Sequence, residues 1–84
     1  MTNTFRILVS GKDAGAVIGQ KGMNIVMLRE MFDYRTSVTH SVPGVSERVV
    51  TLSGALAKFG QCIEFLAEKI IERDDGNGKF YFLA

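Results

Sequence analysis

Apolar residues along the chain alternate first with a period of two and then with a helical period. Phe5, Ile7 and Val9 fall on one face of a short stretch, with Leu8 opposite, which predicts a first strand over Phe5–Val9. Ser10-Gly11-Lys12 ends it, and Asp13 is placed to cap a short helix over Ala14–Ile18. After a glycine-rich turn the period becomes helical. Ile25, Leu28 and Phe32 mark the buried stripe of a second helix from Gly22 or Met23 to about Phe32, and Val26, Met27 and Met31 make the rest of that helix unusually apolar. Thr36, Val38 and Thr39 predict a second strand over Arg35–His40. Pro43-Gly44 sits in a loop, and Val49–Leu52 lies in a third strand over Glu47–Ser53 that Gly54 stops. The short connection makes strands two and three antiparallel neighbours. Leu56, Phe59, Ile63, Leu66 and Ile70 then recur at spacings of three and four, the stripe of a long third helix over Ala55–Arg73.

The order strand, helix, helix, strand, strand, helix predicts an α+β domain with helices on one face of a three-stranded sheet. It spans residues 5–73. Residues 74–84 read as a flexible break, Asp74–Gly78, and a short aromatic tail, Phe80-Tyr81-Phe82-Leu83. The tail fits a strand on a sheet edge, the start of a linker or a frayed end equally well.

Composition narrows the function classes. Eighty-four residues make one domain. The net charge of +1 argues against a basic coat, so a nucleic-acid partner would need a shaped site with a few placed cations. The single cysteine, Cys62, allows no internal disulfide, which points to a reducing setting, and its own position reads as helix packing. No apolar run approaches a membrane span, and Met1–Ser10 has a strand pattern where a signal peptide would show a basic start and an apolar core. The lone histidine, His40, has no second histidine or cysteine group to join it, so no metal site and no cofactor are expected. No nucleophile–base set is visible, and Asp13, Glu30, Asp33 and Glu47 fall at capping, surface or turn positions, so an enzyme is not expected.

The chemistry concentrates in Gly15-Ala16-Val17-Ile18-Gly19-Gln20-Lys21-Gly22. Gly19 and Gly22 bracket Gln20 and Lys21 between two helices. Glycine lets a turn close tightly and lets a ligand backbone approach, and Lys21 adds a positive charge. The spacing is not that of the dinucleotide or Walker-type phosphate loops. It is that of a Gly-x-x-Gly clamp on a single-stranded nucleic-acid backbone.

In register with Glu47-Arg48-Val49-Val50-Thr51-Leu52-Ser53-Gly54 and Phe65-Leu66-Ala67-Glu68-Lys69-Ile70, this motif makes the chain resemble the type I KH domain, in particular those of the poly-C-binding proteins and Nova-type splicing regulators. The resemblance covers roughly Phe5 to Arg73. It implies that Gly19, Gln20, Lys21 and Gly22 hold the sugar–phosphate backbone of about four unpaired nucleotides. It also implies an apolar groove for the bases, with Ala14, Gly15, Ile18 and Ile25 as floor and Thr36 and Val38 on the strand side. His40 falls at the rim if strand two reaches it. Arg29 and Arg48 match the arginines that contact bases in cytosine-selective members. The residue pattern agrees, since Arg29 borders the Ile25–Leu28–Phe32 stripe and Arg48 alternates in phase with Val50 and Leu52.

Each residue also has a plainer role. Gly19–Gly22 fits a helix–helix turn, Arg29 a surface partner of Asp33, and Arg48 a satisfied strand-end charge. The chain departs from the family pattern at Asp33, where relatives often have glycine, at Thr36 for an aliphatic residue, at Gln20 for a cation, and at His40 near a carboxylate position.

The expected partner is single-stranded RNA, with single-stranded DNA as an alternative, preferring C- or pyrimidine-rich sequence, in a nuclear or cytoplasmic RNA regulator that carries neighbouring KH modules. A rival reading is homodimerisation through the first strand and an apolar face of the third helix around Cys62 and Phe65.

Overall fold

The structure is a computed structural model, and it describes residues 2–40, 43–74 and 80–83. The elements are β1 (Thr2–Ser10), α1 (Gly11–Ile18), a single turn of 3-10 helix (Gln20–Gly22), α2 (Met23–Phe32), β2 (Arg35–Val38), β3 (Glu47–Ala55), a second 3-10 turn (Leu56–Lys58), α3 (Phe59–Asp74) and β4 (Phe80–Leu83). The order expected from periodicity is present, with one addition. The aromatic tail is a strand: Phe80–Leu83 pairs antiparallel with Arg6–Val9, so the sheet has four strands in the order β2-β3-β1-β4. Of the expected flexible break over Asp74–Gly78, Asp74 instead ends α3, and residues 75–78 lie outside the described residues.

Alternation along the strands sets which face meets the helices. Ile7 and Val9 of β1 and Val50 and Leu52 of β3 are buried, and Ile7 stands opposite Val50. Across β2, Thr36 opposes Leu52 and Val38 opposes Val50, so both share that inner face. The helices complete the core with Ala14 and Val17 from α1, Leu28 from α2 and Cys62, Leu66 and Ile70 from α3. Aromatic contacts join the layers. Phe5 on β1 stacks at 4.0 Å on Phe59 at the start of α3, and Phe32 of α2 meets Phe65 of α3 edge-on at 5.8 Å.

Several boundaries differ from the sequence reading, each for a local reason. The cap of α1 is Ser10, whose Oγ accepts from the Asp13 N–H at 3.0 Å, so the helix starts three residues earlier than expected. Asp13 sits in the first turn, where its charge suits the helix dipole, and is buried. Gly54 lies within β3 and does not end it. A Cβ there would stand 2.5 Å from the Tyr34 ring, so glycine is the residue that lets Tyr34 lie against the sheet and donate from its hydroxyl to the Ala55 carbonyl. β3 therefore runs on to Ala55, and α3 starts four residues later than the stripe suggested. Leu56 falls in the intervening turn and is exposed, not part of the stripe.

The rival dimer surface is also corrected. Cys62 and Phe65 are buried within the chain, and β1 has β3 on one side and β4 on the other. Neither offers the open apolar face that reading required.

Candidate nucleic-acid interface

Three of the four residues in the Gly19–Gly22 turn have positive φ: Gly19 at 77°, Lys21 at 54° and Gly22 at 74°. Gly19 combines this with ψ 172°, a conformation that a residue bearing a Cβ essentially never adopts. A Cβ there would also lie 2.7 Å from the Asn24 side chain. Asn24 is held in turn, because its Nδ2 donates to the Ala16 carbonyl at 2.8 Å, one of the carbonyls that the end of α1 leaves without a helical partner. The turn is tied back by its own backbone, with Gly19 N–H on Gly15 O at 2.9 Å and Gly22 N–H on Gly19 O at 3.2 Å. The result is a rigid knuckle that presents the Gln20 and Lys21 side chains outward, both exposed.

The knuckle borders an open cleft of about 680 Å³, lined by Gly15 and Ala16 of α1, Gly19, Gln20 and Lys21 of the turn, Met23 and Asn24 of α2, and Lys69 of α3. A second cavity of about 380 Å³ lies between α2 and β2, lined by Ile25, Val26, Arg29, Tyr34, Arg35 and Thr36. The sequence-predicted residues are thus divided. Gly15, Gly19, Gln20 and Lys21 share the first cleft; Ile25, Arg29 and Thr36 share the second. The Thr36 hydroxyl oxygen is buried and has no hydrogen-bond partner among the described residues.

Ala14 is a correction. It is completely buried and offers no surface to a groove, because it lies on the same face of α1 as Val17, three residues on, and that face packs into the core. Ile18 and Val38 are half-buried, and neither lines either cavity. β2 stops at Val38, so His40 is not a strand residue; it is exposed in the following loop. Arg48 opposes Val9 at the end of the inner face, and its Nε donates to the Thr39 carbonyl at 2.7 Å. Thr39 also receives the Val49 N–H on its Oγ1 at 2.9 Å and donates its own N–H to Val49 O at 3.0 Å. The strand-end role for Arg48 is therefore real, and it uses one of the five guanidinium donors. Arg29 and Asp33 meet through the backbone, Asp33 N–H on Arg29 O at 3.0 Å, at the left-handed end of α2.

Asn24, Lys69, Tyr34, Arg35 and Thr39 carry much of this geometry, and the sequence reading named none of them as a site residue. Asn24 sits two residues beyond the glycine turn and its polarity inside an apolar helix was a usable signal. Lys69 lies on a different helix, and nothing local marks it.

Burial pushes the Cys62 thiol up to about 11, so it stays protonated and unreactive at neutral pH. Burial, with the neighbouring Cys62 adding to it, also raises the Tyr34 phenol. Among the described residues no group of three or more His, Cys, Asp or Glu is arranged to hold a metal ion, and no helix is long and apolar enough to cross a membrane.

Comparison with known proteins converges on the same elements. The chain is 37% identical over 65 residues to the "RNA-binding protein rnc1" of Schizosaccharomyces pombe, covering 77% of this chain and 16% of that protein. It is 28% identical over 76 residues to "Heterogeneous nuclear rnp K-like protein 2" of Saccharomyces cerevisiae, covering 90% of this chain and 20% of that protein. It therefore spans a fifth or less of the length of these curated relatives. The KH domain profile matches residues 4–68, from β1 through most of α3 and across the whole glycine turn, and the chain belongs to the KH domain family.

Proposed function

We propose that this domain binds single-stranded RNA without catalysis, holding about four unpaired nucleotides with the Gly19–Gly22 turn on the sugar–phosphate backbone. The observation that carries the reading is the knuckle itself. Its backbone conformation is open to glycine and closed to most residues, and it stands at the edge of a cleft with Lys21 exposed beside it. A turn needed only to join two helices has no requirement for that access.

Base choice follows from the donors in and near the α2–β2 cavity. Arginine donates only, and cytosine offers two adjacent acceptors where uracil offers one acceptor beside a donor. Arg29 in the cavity and Arg48 at the end of the inner face favour cytosine, while Ile25 supplies apolar contact. The Thr36 hydroxyl can donate or accept, and His40 stands where a carboxylate would select cytosine more strictly, so the preference is for C-rich sequence with mixed pyrimidines tolerated. The names of the relatives, an RNA-binding protein and a ribonucleoprotein-like protein, support RNA over DNA. The parent protein is then a nuclear or cytoplasmic RNA regulator, acting on splicing, stability or translation, in which neighbouring KH modules add affinity that one module lacks.

The test is the double variant Gln20→Asp with Lys21→Asp. Both positions are exposed, so the fold should persist, and two carboxylates facing phosphate should abolish binding of a C-rich RNA tetramer. Unchanged affinity in the folded double variant refutes the assignment of this turn.

A further inference from the structure

We propose that the Thr36 hydroxyl reads the group at the 4-position of a pyrimidine held in the α2–β2 cavity, accepting from the amine of cytosine or donating to the carbonyl of uracil. This rests on the RNA-binding reading above and names what one of its pockets recognises. The Thr36 Oγ1 is shut off from solvent and has no hydrogen-bond partner among the described residues. Such an oxygen destabilises the folded domain, since water satisfied it in the unfolded chain. Local structure does not require it. Thr36 opposes Leu52 on the inner face of the sheet, where a valine of the same shape would serve, and β-branched valine suits a strand at least as well. A buried polar atom without a partner calls for a role outside the fold, and Thr36 lines a cavity.

The other lining groups define that role. The cavity, about 380 Å³, is at the lower end of the range for ligand pockets and suits a single base. Ile25 and Val26 give it an apolar wall, and Arg29 and Arg35 supply donors only. Tyr34 is completely buried, and its hydroxyl already donates to the Ala55 carbonyl. Among the described residues that line the cavity, Thr36 is therefore the side chain with an acceptor left for a ligand. The arginines match O2 and N3 of cytosine. The 4-position needs a different partner, an acceptor for cytosine and a donor for uracil, and a hydroxyl is both. One rotation about Cα–Cβ, between staggered rotamers, carries the methyl into the place of the hydroxyl and swings the hydroxyl out of its closed position. The buried place then holds a methyl, and the oxygen gains the partner it lacks. Thr36 thus accepts both pyrimidines, and the preference between them stays with the arginines.

The experiment replaces each cytidine of an all-cytidine RNA tetramer in turn by the pyrimidin-2-one nucleoside, which keeps O2 and N3 and lacks the 4-amine. With wild type, the substitution at the position held in the cavity should weaken binding by about threefold to tenfold, the weight of one neutral hydrogen bond. Thr36→Val should weaken the unsubstituted tetramer by a similar factor and make that one position indifferent to loss of the amine. It should weaken an all-uridine tetramer equally, so that the ratio of cytidine to uridine affinities stays within about twofold of wild type. Thr36→Ser, which keeps the hydroxyl, should retain the response to pyrimidin-2-one. Urea denaturation should find Thr36→Val at least as stable as wild type, because a hydroxyl without a partner has been removed. Thr36 reads no base if Thr36→Val binds the tetramer as wild type does, or if it weakens substituted and unsubstituted ligands alike at every position. A lowered urea midpoint would give the hydroxyl a partner in the free protein and remove the reason for the rotation, and a shifted cytidine-to-uridine ratio would refute the dual reading. If wild type binds no C-rich tetramer, the RNA-binding reading itself fails and the Thr36 contact falls with it.

Discussion

Replacing Gly19 with alanine probes the conformation on which the turn depends. Gly19 has φ 77° and ψ 172°, a region that costs a residue with a Cβ about 1–3 kcal/mol. The added methyl would then meet Asn24 at 2.7 Å from its Cγ and Nδ2 and 2.9 Å from its backbone N. Backbone cannot yield cheaply, and the side chain can move only by giving up its bond to Ala16 O, a further loss of about 1 kcal/mol. Together these give about 2–4 kcal/mol, a large part of the roughly 5–15 kcal/mol that stabilises a typical domain. Gly22 and Gly15 provide internal comparisons. Gly22→Ala meets nothing within 4 Å and should cost only the left-handed penalty, about 1–2 kcal/mol. Gly15→Ala sits in open space inside α1 and should stabilise by up to about 1 kcal/mol through helix propensity. Urea denaturation followed by circular dichroism should rank the proteins Gly15→Ala, wild type, Gly22→Ala, Gly19→Ala from most to least stable. A Gly19→Ala cost no greater than that of Gly22→Ala would show that the Asn24 clash and the glycine-only conformation have been misjudged.

Three other outcomes follow from the same geometry. Asp33 ends α2 with φ 55°, so Asp33→Gly should relieve a left-handed residue and raise stability by about 1 kcal/mol, read as a shift in the urea midpoint. The Cys62 thiol is raised to about 11, so its contribution is fully present below the unfolded thiol's pKa, about 8.5, and is lost as pH climbs to 11; Cys62→Ala should remove roughly 2–3 kcal/mol of that alkaline decline, and parallel pH profiles for variant and wild type would contradict it. Arg29→Ala or Arg48→Ala should weaken C-rich tetramers by about 1–3 kcal/mol and narrow the gap to U- and A-rich ones, whereas Lys21→Ala should weaken all three alike and flatten the salt dependence; retention of the wild-type preference in both arginine variants would remove them from base recognition.

Periodicity in the sequence was enough to order the first six elements, because buried faces repeat at two or at three to four residues wherever the chain lies on a core. The glycine turn was legible for a similarly local reason, since the φ 77°, ψ 172° conformation of Gly19 is closed to a residue with a Cβ whatever surrounds it. Ends of elements were not legible where a contact distant in sequence overrode the local signal. Gly54 looks like a strand terminator, yet Tyr34, twenty residues earlier, needs its missing Cβ, so β3 continues. The tail's pattern of four apolar residues fitted a strand, the start of a linker or a frayed end, and only the vacant edge of β1 decided among them. The site divides in the same way. Lys21 and Arg29 are marked by their neighbours in sequence, but the burial of Ala14, the tethering of Arg48 by Thr39 and the arrival of Lys69 from α3 depend on how layers pack, which the order of residues along one element does not encode.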